Sequence, residues 1–351
     1  MKSFYGRKNG ASKTAYQLGK FATYLLTQAF FKRFIVENEH YLKQIPKNAS
    51  ILVNPNHESH TDPIVVTYSI FDHRRDAVLN FMSKKENFTD NKFIGFLAEL
   101  YGAYSLDRSS KNNEKTKVHT EEILDRSDNL LMFSEGTRTK DGNFGEPHPG
   151  LMIYAKKAQR KNPSIQYYLL PVAITYKEKL GFLAELFDES LADKNSALFY
   201  NSRRLVSLLS SLECVVTFCE PKLVSGLLSS GKRIRDISNE IMDDLKSSIK
   251  VFNDRIVAYA ILELDSEKGK LTYHNLLKKA ENTRVKLYRV GANLEHELNR
   301  GNVDPHWIDP QLNYLKETNL ITFGNSRPIT INPKKRSRLE YKANRMKHLV
   351  A

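Results

Sequence analysis

Short apolar runs alternate with helix-like segments between about residues 50 and 220, and this alternation restricts the possible folds more than any other feature. The runs lie at residues 51–53, 79–82, 103–106, 130–133, 168–174 and 214–218. Runs this short, apolar at consecutive positions, are typical of strands that are covered on both faces of a parallel sheet. We therefore predict an α/β fold with a largely parallel central sheet flanked by helices.

The rest of the chain differs in character on either side of this region. After about residue 249 the strand signal fades and the sequence becomes helical and charged. A length of 351 residues suits one large domain with an appendage. We predict an N-terminal helical segment over residues 1–45, a large α/β domain over residues 46–250 and a mainly helical domain over residues 251–351.

The N-terminal segment contains an apolar stretch at residues 21–31 that is shorter than the ~20 residues needed to span a bilayer. Across residues 16–36, Lys20, Thr23 and Thr27 share one helical stripe, and most apolar residues lie away from it. This pattern predicts a helix that either lies in a membrane interface or packs on the large domain. No small-residue cleavage site follows, so a secretory signal is not expected.

The chain is strongly basic. It has 54 Lys and Arg against 40 Asp and Glu, for a net charge of +14, which indicates polyanionic partners: nucleic acid, anionic lipid or phosphorylated substrates. Cys214 and Cys219 lie five apart on one predicted strand and point to opposite faces, so we expect no disulfide between them. Two buried thiols indicate a reducing compartment.

The densest polar cluster, residues 54–63, follows the first predicted strand directly. Pro55 and Pro63 bracket it and exclude a continuous helix. Residues five apart diverge on both helices and strands, so only a turn could bring His57 and Asp62 together. The carboxylate would then orient the imidazole and fix its tautomer. Spacing alone leaves open that Asp62 is only a helix cap and His57 only a loop residue.

A metal site is the other chemical interpretation of this cluster, with His57, Glu58 and His60 as ligands. Their spacing is not that of a His-Glu-x-x-His zinc motif, and cysteine ligands are absent. We therefore predict no metal and no cofactor.

A second cluster, residues 133–142, follows another apolar run. Gly136 permits a tight turn, Arg138 offers a planar fork of donors suited to a phosphate, and Lys140 adds a mobile positive charge. Taken alone, the cluster could equally be a charged surface turn that closes on Asp141 and Gly142.

Two further predicted strands are followed by a basic side chain. Arg108 follows the run at residues 103–106, and Lys84 follows the run at residues 79–82. Either residue alone is weak evidence for a binding site, because a solvated charge is common at a strand end. Together with Arg138 and the loop that holds His57, they predict a basic cleft that places an anionic substrate beside a general base.

The order and spacing of these motifs resemble those of the phospholipid/glycerol acyltransferases, which include the lysophosphatidate and glycerol-3-phosphate acyltransferases. The resemblance covers about residues 50–222. Its motifs are a His and an Asp five residues apart, a Gly leading to a strand that ends in Arg, a Glu-Gly-Thr-Arg block after Phe and a small residue, and a strand with a central Pro. They stand at His57 to Asp62, Gly102 to Arg108, Phe133 to Arg138 with Gly142 downstream, and Leu170 to Ile174.

The resemblance implies an enzyme that moves a fatty acyl group from acyl-CoA or acyl carrier protein to a hydroxyl of a glycerol phosphate. His57 would take the proton from that hydroxyl, and Asp62 would orient the imidazole. The resemblance places substrate-binding residues at Lys84, Arg108, Glu135, Gly136, Thr137, Arg138, Lys140 and Pro171.

The sequence leaves the acceptor open. Residues 339–345, with His348 and Leu349 after them, are similar to the C-terminal ending of glycerol-3-phosphate acyltransferases, whereas Thr137 is closer to the lysophosphatidate enzymes. Glycerol 3-phosphate, its 1-acyl derivative and another lysolipid all remain candidates.

A nucleic-acid-binding protein is the alternative from another class, because residues 334–338 form a basic run. The same run suits an anionic bilayer, and the catalytic motifs favour lipid. We expect a peripheral or monotopic protein on the cytoplasmic face of a membrane, with anionic lipid rather than nucleic acid as its partner. A member of the family that kept the fold and lost the activity is a further alternative.

Overall fold

The structure, a computed structural model, describes residues 31–59, 62–74, 77–84, 102–106, 114–177, 212–301, 303–323 and 328–350. Its strands are β1 Phe31–Glu37, β2 Ser50–Pro55, β3 Leu79–Lys84, β4 Ala103–Leu106, β5 Asn129–Leu131, β6 Tyr167–Lys177, β7 Leu212–Phe218, β8 Lys222–Leu223, β9 Ile321–Thr322 and β10 Thr330–Ile331. Its helices are α1 His40–Gln44, α2 Asp62–His73, α3 Glu114–Asp125, α4 Gly150–Lys161, α5 Val224–Ser229, α6 Ile234–Ser248, α7 Asn253–Ser266, α8 Tyr273–Arg289, α9 Asp309–Glu317 and α10 Arg336–Lys347.

The described strands form a main sheet in the order β1-β7-β6-β2-β5-β3-β4. Parallel ladders join β1 to β7, β6 to β2, β2 to β5, β5 to β3 and β3 to β4, while β8 pairs antiparallel with β6. Five of the six apolar runs lie within these strands, and the run at residues 130–133 begins in β5 and continues past its end. The predicted α/β fold with a largely parallel sheet is confirmed.

The sheet is stabilised by side chains that its strands bury completely. Ile51, Leu52 and Val53 of β2 have no exposed surface, which suits a central strand covered on both faces. Leu52 packs in one cluster with Ile123 of α3 and Leu151 of α4. Each such side chain contributes roughly 1.5–3 kcal/mol by leaving water.

The prediction of a helix over residues 16–36 is wrong for its last residues, because Phe31–Glu37 form β1. In the ladder with β7, Phe34 lies opposite Cys214 and Val36 opposite Val216. Aromatic and β-branched residues favour a strand when a sheet edge is available. Residues 31–37 therefore belong to the main sheet, and the part of the prediction that concerns residues 1–30 lies outside the described residues.

The described chain divides into two compact units. The first comprises residues 31–137, 146–174 and 212–245, and the second comprises residues 138–145, 175–177 and 246–350. The second unit is mainly helical, as predicted, and its core contains Ile256 and Ile261 of α7, Leu276 of α8 and Met346 of α10. No described helix is long and apolar enough to cross a bilayer.

Candidate active site

Asn56 fixes the loop that follows β2. Its side-chain amide is fully buried and bonds the backbone of Ile174 in both directions: Nδ2 donates to the carbonyl oxygen over 3.0 Å, and Oδ1 accepts from the amide over 2.7 Å. These two bonds anchor the start of the loop to β6, in addition to its covalent connection to β2. This residue was missed in the sequence, where a buried Asn after a strand looks like any turn residue.

Asp62 is the centre of the site. Its Oδ2 lies 2.8 Å from Nδ1 of His57 and also accepts backbone N–H bonds from Glu58 at 2.7 Å and Ser59 at 2.8 Å. The carboxylate side chain is fully buried, whereas the His57 side chain keeps 17% of its surface exposed. The turn that the sequence required between His57 and Asp62 is thus present, and it wraps around one carboxylate oxygen.

This geometry defines which imidazole nitrogen is available as a base. An ionised carboxylate only accepts hydrogen bonds, so Nδ1 of His57 carries the hydrogen that faces Asp62. The lone pair is then on Nε2, the atom that a general base would use. Asp62 thereby fixes the tautomer as well as the ring's direction.

Phe133 packs against one face of the His57 imidazole. Its ring stacks on that of His57 with centroids 3.8 Å apart and planes 14° from parallel. Phe133 follows β5, the neighbour of β2, so the two parallel strands end at the same edge and bring the rings together. The sequence showed Phe133 only as part of a motif, because strand order was needed to place it beside His57.

Glu135 and Gly136 shape the turn after Phe133. Glu135 is buried, and its Oε1 accepts the backbone N–H of His57 over 3.2 Å. Gly136 has a φ of +64°, and a Cβ there would lie 2.6 Å from Cδ2 of His148. The left-handed φ favours glycine at position 136, and a Cβ there would also displace the ring of His148. Glu135 joins the two motif loops, a contact between residues 78 apart.

The other predicted substrate-binding residues are distributed as follows. Thr137 is exposed and ends this part of the first unit, and Pro171 is buried in β6 opposite Asn54. Lys84 is the last residue of β3. Arg108 lies outside the described residues. Arg138, half-buried, and Lys140, exposed, belong to the segment of residues 138–145 that groups with the second unit.

A buried thiol lies close to this site. Burial raises the pKa of Cys214 well above its usual value, and the charges of Asp62 and Glu58 act in the same direction. A thiol in this state stays protonated near neutral pH and is a poor nucleophile. Among the described residues, no group of three or more His, Cys, Asp and Glu is placed to hold a metal ion.

The fold and the site together define a largely parallel α/β protein with a hydrogen-bonded His57–Asp62 pair at the carboxyl edge of its sheet. Residues 33–175 match the model of the family described as Acyltransferase. This match covers all four motifs, so the resemblance seen in the sequence is confirmed over this part of the chain.

Individual relatives are distant. A glycerol-3-phosphate acyltransferase of Actinobacillus pleuropneumoniae is 26% identical over 51% of this chain and 22% of its own length, and that of Xylella fastidiosa is 23% identical over 53% and 22%. A relative of the same name from Haemophilus influenzae is 21% identical over 73% of this chain and 34% of its own length. The chain thus spans between about a fifth and a third of these relatives.

One solved structure is also similar, the 1-acyl-sn-glycerophosphate (LPA) acyltransferase PlsC from Thermotoga maritima. It is 20% identical, with a TM-score of 0.39 over 65% of this chain and 75% of that protein.

Proposed function

We propose that this chain transfers a fatty acyl group from acyl-CoA or acyl carrier protein to a hydroxyl of glycerol 3-phosphate or 1-acylglycerol 3-phosphate, with His57 as general base. One observation carries the proposal: the buried carboxylate of Asp62 bonds Nδ1 of His57 over 2.8 Å, while the ring remains partly exposed. The family match and the relatives named glycerol-3-phosphate acyltransferases support the reaction class.

The proposed reaction has two proton transfers. Nε2 of His57 takes the proton of the acceptor hydroxyl as its oxygen attacks the thioester carbonyl carbon. The carbon–sulfur bond then breaks, and the imidazolium returns the proton to the departing thiolate. Asp62 stabilises the imidazolium between these steps. General-base catalysis of this kind contributes about 10²–10⁴-fold, and positioning supplies the remainder.

The acyl acceptor is anionic, and we assign its phosphate to Arg138, with Arg108 and Lys140 as further cations. A guanidinium binds phosphate through paired hydrogen bonds. The substrates and the product carry acyl chains, so we place the enzyme at the cytoplasmic face of a membrane that contains anionic lipid.

The deciding experiment compares the wild-type chain with His57→Ala, using acyl-CoA and acyl carrier protein donors and acceptors that include glycerol 3-phosphate, 1-acylglycerol 3-phosphate and other lysolipids. Loss of about 10²-fold or more in kcat, with an unchanged melting temperature, supports the general base. Activity that survives in His57→Ala excludes this mechanism.

A second measurement tests the acceptor site. Arg138→Ala is expected to raise KM for a phosphorylated acceptor far more than KM for the acyl donor, because it removes binding to one substrate. Equal increases in both KM values would mean that Arg138 does not bind the phosphate.

A further inference from the structure

The loop that begins with Arg138 groups with the C-terminal helical unit rather than with the unit that holds the strand before it. Residues up to Thr137 belong to the first unit, and residues 138–145 belong to the second. The residue proposed to bind the acceptor's phosphate thus lies at the start of a segment whose partners are far along the chain. Among the described residues, α10 supplies several of the contacts that hold this segment.

The backbone of Gly142 lies directly against α10. A Cβ at this position would lie 2.1 Å from the carbonyl oxygen of Tyr341, and the φ of Gly142 is +86°. One residue earlier in the loop, the carbonyl of Asp141 accepts a bond from Nδ2 of Asn344, three residues after Tyr341 in α10, over 2.9 Å. Only glycine permits so close an approach between a loop and a helix backbone.

Phe144 adds a side-chain contact to the same helix. The guanidinium of Arg345 lies 4.4 Å from the centroid of its ring, and the His348 ring meets it edge-on at 5.2 Å. Arg345 has no exposed surface and donates to the carbonyl of Gly142 over 3.5 Å. Burying a guanidinium is costly unless its surroundings satisfy it, so the loop forms part of the environment that makes this burial acceptable.

The loop is also ordered from within. Oγ1 of Thr139 accepts from the Gly142 amide over 3.0 Å and donates to the carbonyl of Asn143 over 2.8 Å. Asp141 accepts the Asn143 amide over 3.0 Å. The turn is therefore closed, and its closed end is the part that contacts α10. Arg138 lies one residue before Thr139, at the open end.

We propose that α10 positions the acceptor-binding loop: by fixing residues 141–144, it sets the direction of Arg138 before substrate binds. The inference rests on the proposed function of Arg138. Asn344, Arg345 and Gly142 are then positioning residues, which act on the acceptor through Arg138. A binding group that is already ordered loses less conformational freedom when its ligand arrives, so loosening the loop weakens acceptor binding and leaves donor binding unaffected.

The test uses Gly142→Ala in the full-length chain, with Gly291→Ala as a matched control. Both glycines have a left-handed φ, +86° and +72°, but a Cβ at Gly291 meets no atom within 4 Å. The two variants therefore share the backbone strain, and only Gly142→Ala pushes the loop from α10. We expect Gly142→Ala to raise KM for glycerol phosphate about 10- to 100-fold, with KM for the donor unchanged, and Gly291→Ala to change neither.

If Gly142→Ala does not fold, Asn344→Ala takes its place, since it removes one bond to Asp141 from a half-buried position. Equal KM values for the acceptor in these variants and the wild type overturn the proposal, and so does an equal rise in both KM values.

Hydrogen exchange separates failure of this proposal from failure of the proposed function. A wild-type chain that acylates no acceptor contradicts the function. The ordering of the loop by α10 is then tested by hydrogen exchange of amides 139–145, which should be faster in Gly142→Ala than in Gly291→Ala. Identical exchange rates in the two variants would overturn the proposal that α10 orders the loop, whatever the activity.

Discussion

At the scale of single residues, Asp62 accepts three hydrogen bonds with one oxygen, from His57 Nδ1 and from two backbone amides. Asp62→Asn can keep an oxygen acceptor there but adds an amide group that can donate, which favours the wrong tautomer of His57. We expect kcat to fall by about 10³–10⁴-fold with KM little changed, as for the orienting carboxylate of serine proteases. Steady-state kinetics measure this, and a wild-type kcat in Asp62→Asn would contradict the orienting role.

Phe133 supports the imidazole through its ring rather than through its volume. Phe133→Leu keeps an apolar side chain and removes the stacking on His57 at 3.8 Å. Aromatic pairs contribute about 0.5–1.5 kcal/mol, so we expect kcat to fall by up to about tenfold. Phe133→Tyr retains the ring and should keep most of the activity. If Leu and Tyr variants lose kcat equally, stacking is not the cause.

In the sequence, the two prolines showed that only a turn could bring His57 and Asp62 together, and the resemblance to the acyltransferases supplied the pairing. The sequence did not show the bonds of Asn56 to Ile174 or the contact of Glu135 with the His57 amide. Those contacts join residues 118 and 78 apart and depend on which strands are neighbours. A strand pattern in one sequence shows the strands but does not give their order.

At the scale of elements, the unknown strand order also explains why β1 was predicted as part of a helix. The apolar residues 34–36 suit a helix and a strand alike, and the ladder with β7, about 180 residues away, selects the strand. The six runs at residues 51–218 were easier to predict as strands, because each is short and apolar at consecutive positions. The internal pattern of the loop at residues 138–145 gave no sign of its contact with α10, since Gly142 and Asn344 are 202 residues apart.

His348, the residue directly after α10, should also make stability depend on pH. Burial lowers the pKa of His348, and the charges of Arg345, Lys246 and Arg255 act in the same direction, against the bond to the Lys246 carbonyl. The folded pKa is below the unfolded one, so the stabilisation is complete above about pH 6.5 and is lost as pH falls.

We therefore expect the free energy of unfolding to fall more steeply in the wild type than in His348→Gln between about pH 6.5 and 5, by at most about 1.4 kcal/mol per pH unit. Denaturant unfolding at several pH values measures it. His119, whose pKa is also lowered by burial, is present in both chains and cancels in the comparison. Parallel slopes would mean that His348 does not contribute.

At the scale of the whole molecule, the net charge of +14 and the basic run at residues 334–338 favour an anionic surface. Part of that run has partners within its own unit. Arg336 pairs with Asp265 at 2.6 Å and Glu340 at 3.0 Å, and Lys335 donates to the carbonyl of Thr318. The attraction to a bilayer is therefore expected to come from the charge of the chain as a whole rather than from this run.

Flotation with vesicles tests that expectation. We predict that the chain floats with vesicles of equal parts phosphatidylcholine and phosphatidylglycerol and not with phosphatidylcholine alone. Salt should release it, because the Debye length falls from ~10 Å at 0.1 M to ~3 Å at 1 M and screens exposed charges. Arg336→Gln should change binding little, since Asp265 and Glu340 already neutralise that guanidinium. Binding to duplex DNA without binding to either vesicle would show that the basic charge serves a nucleic acid, and would contradict an enzyme that works at a membrane surface.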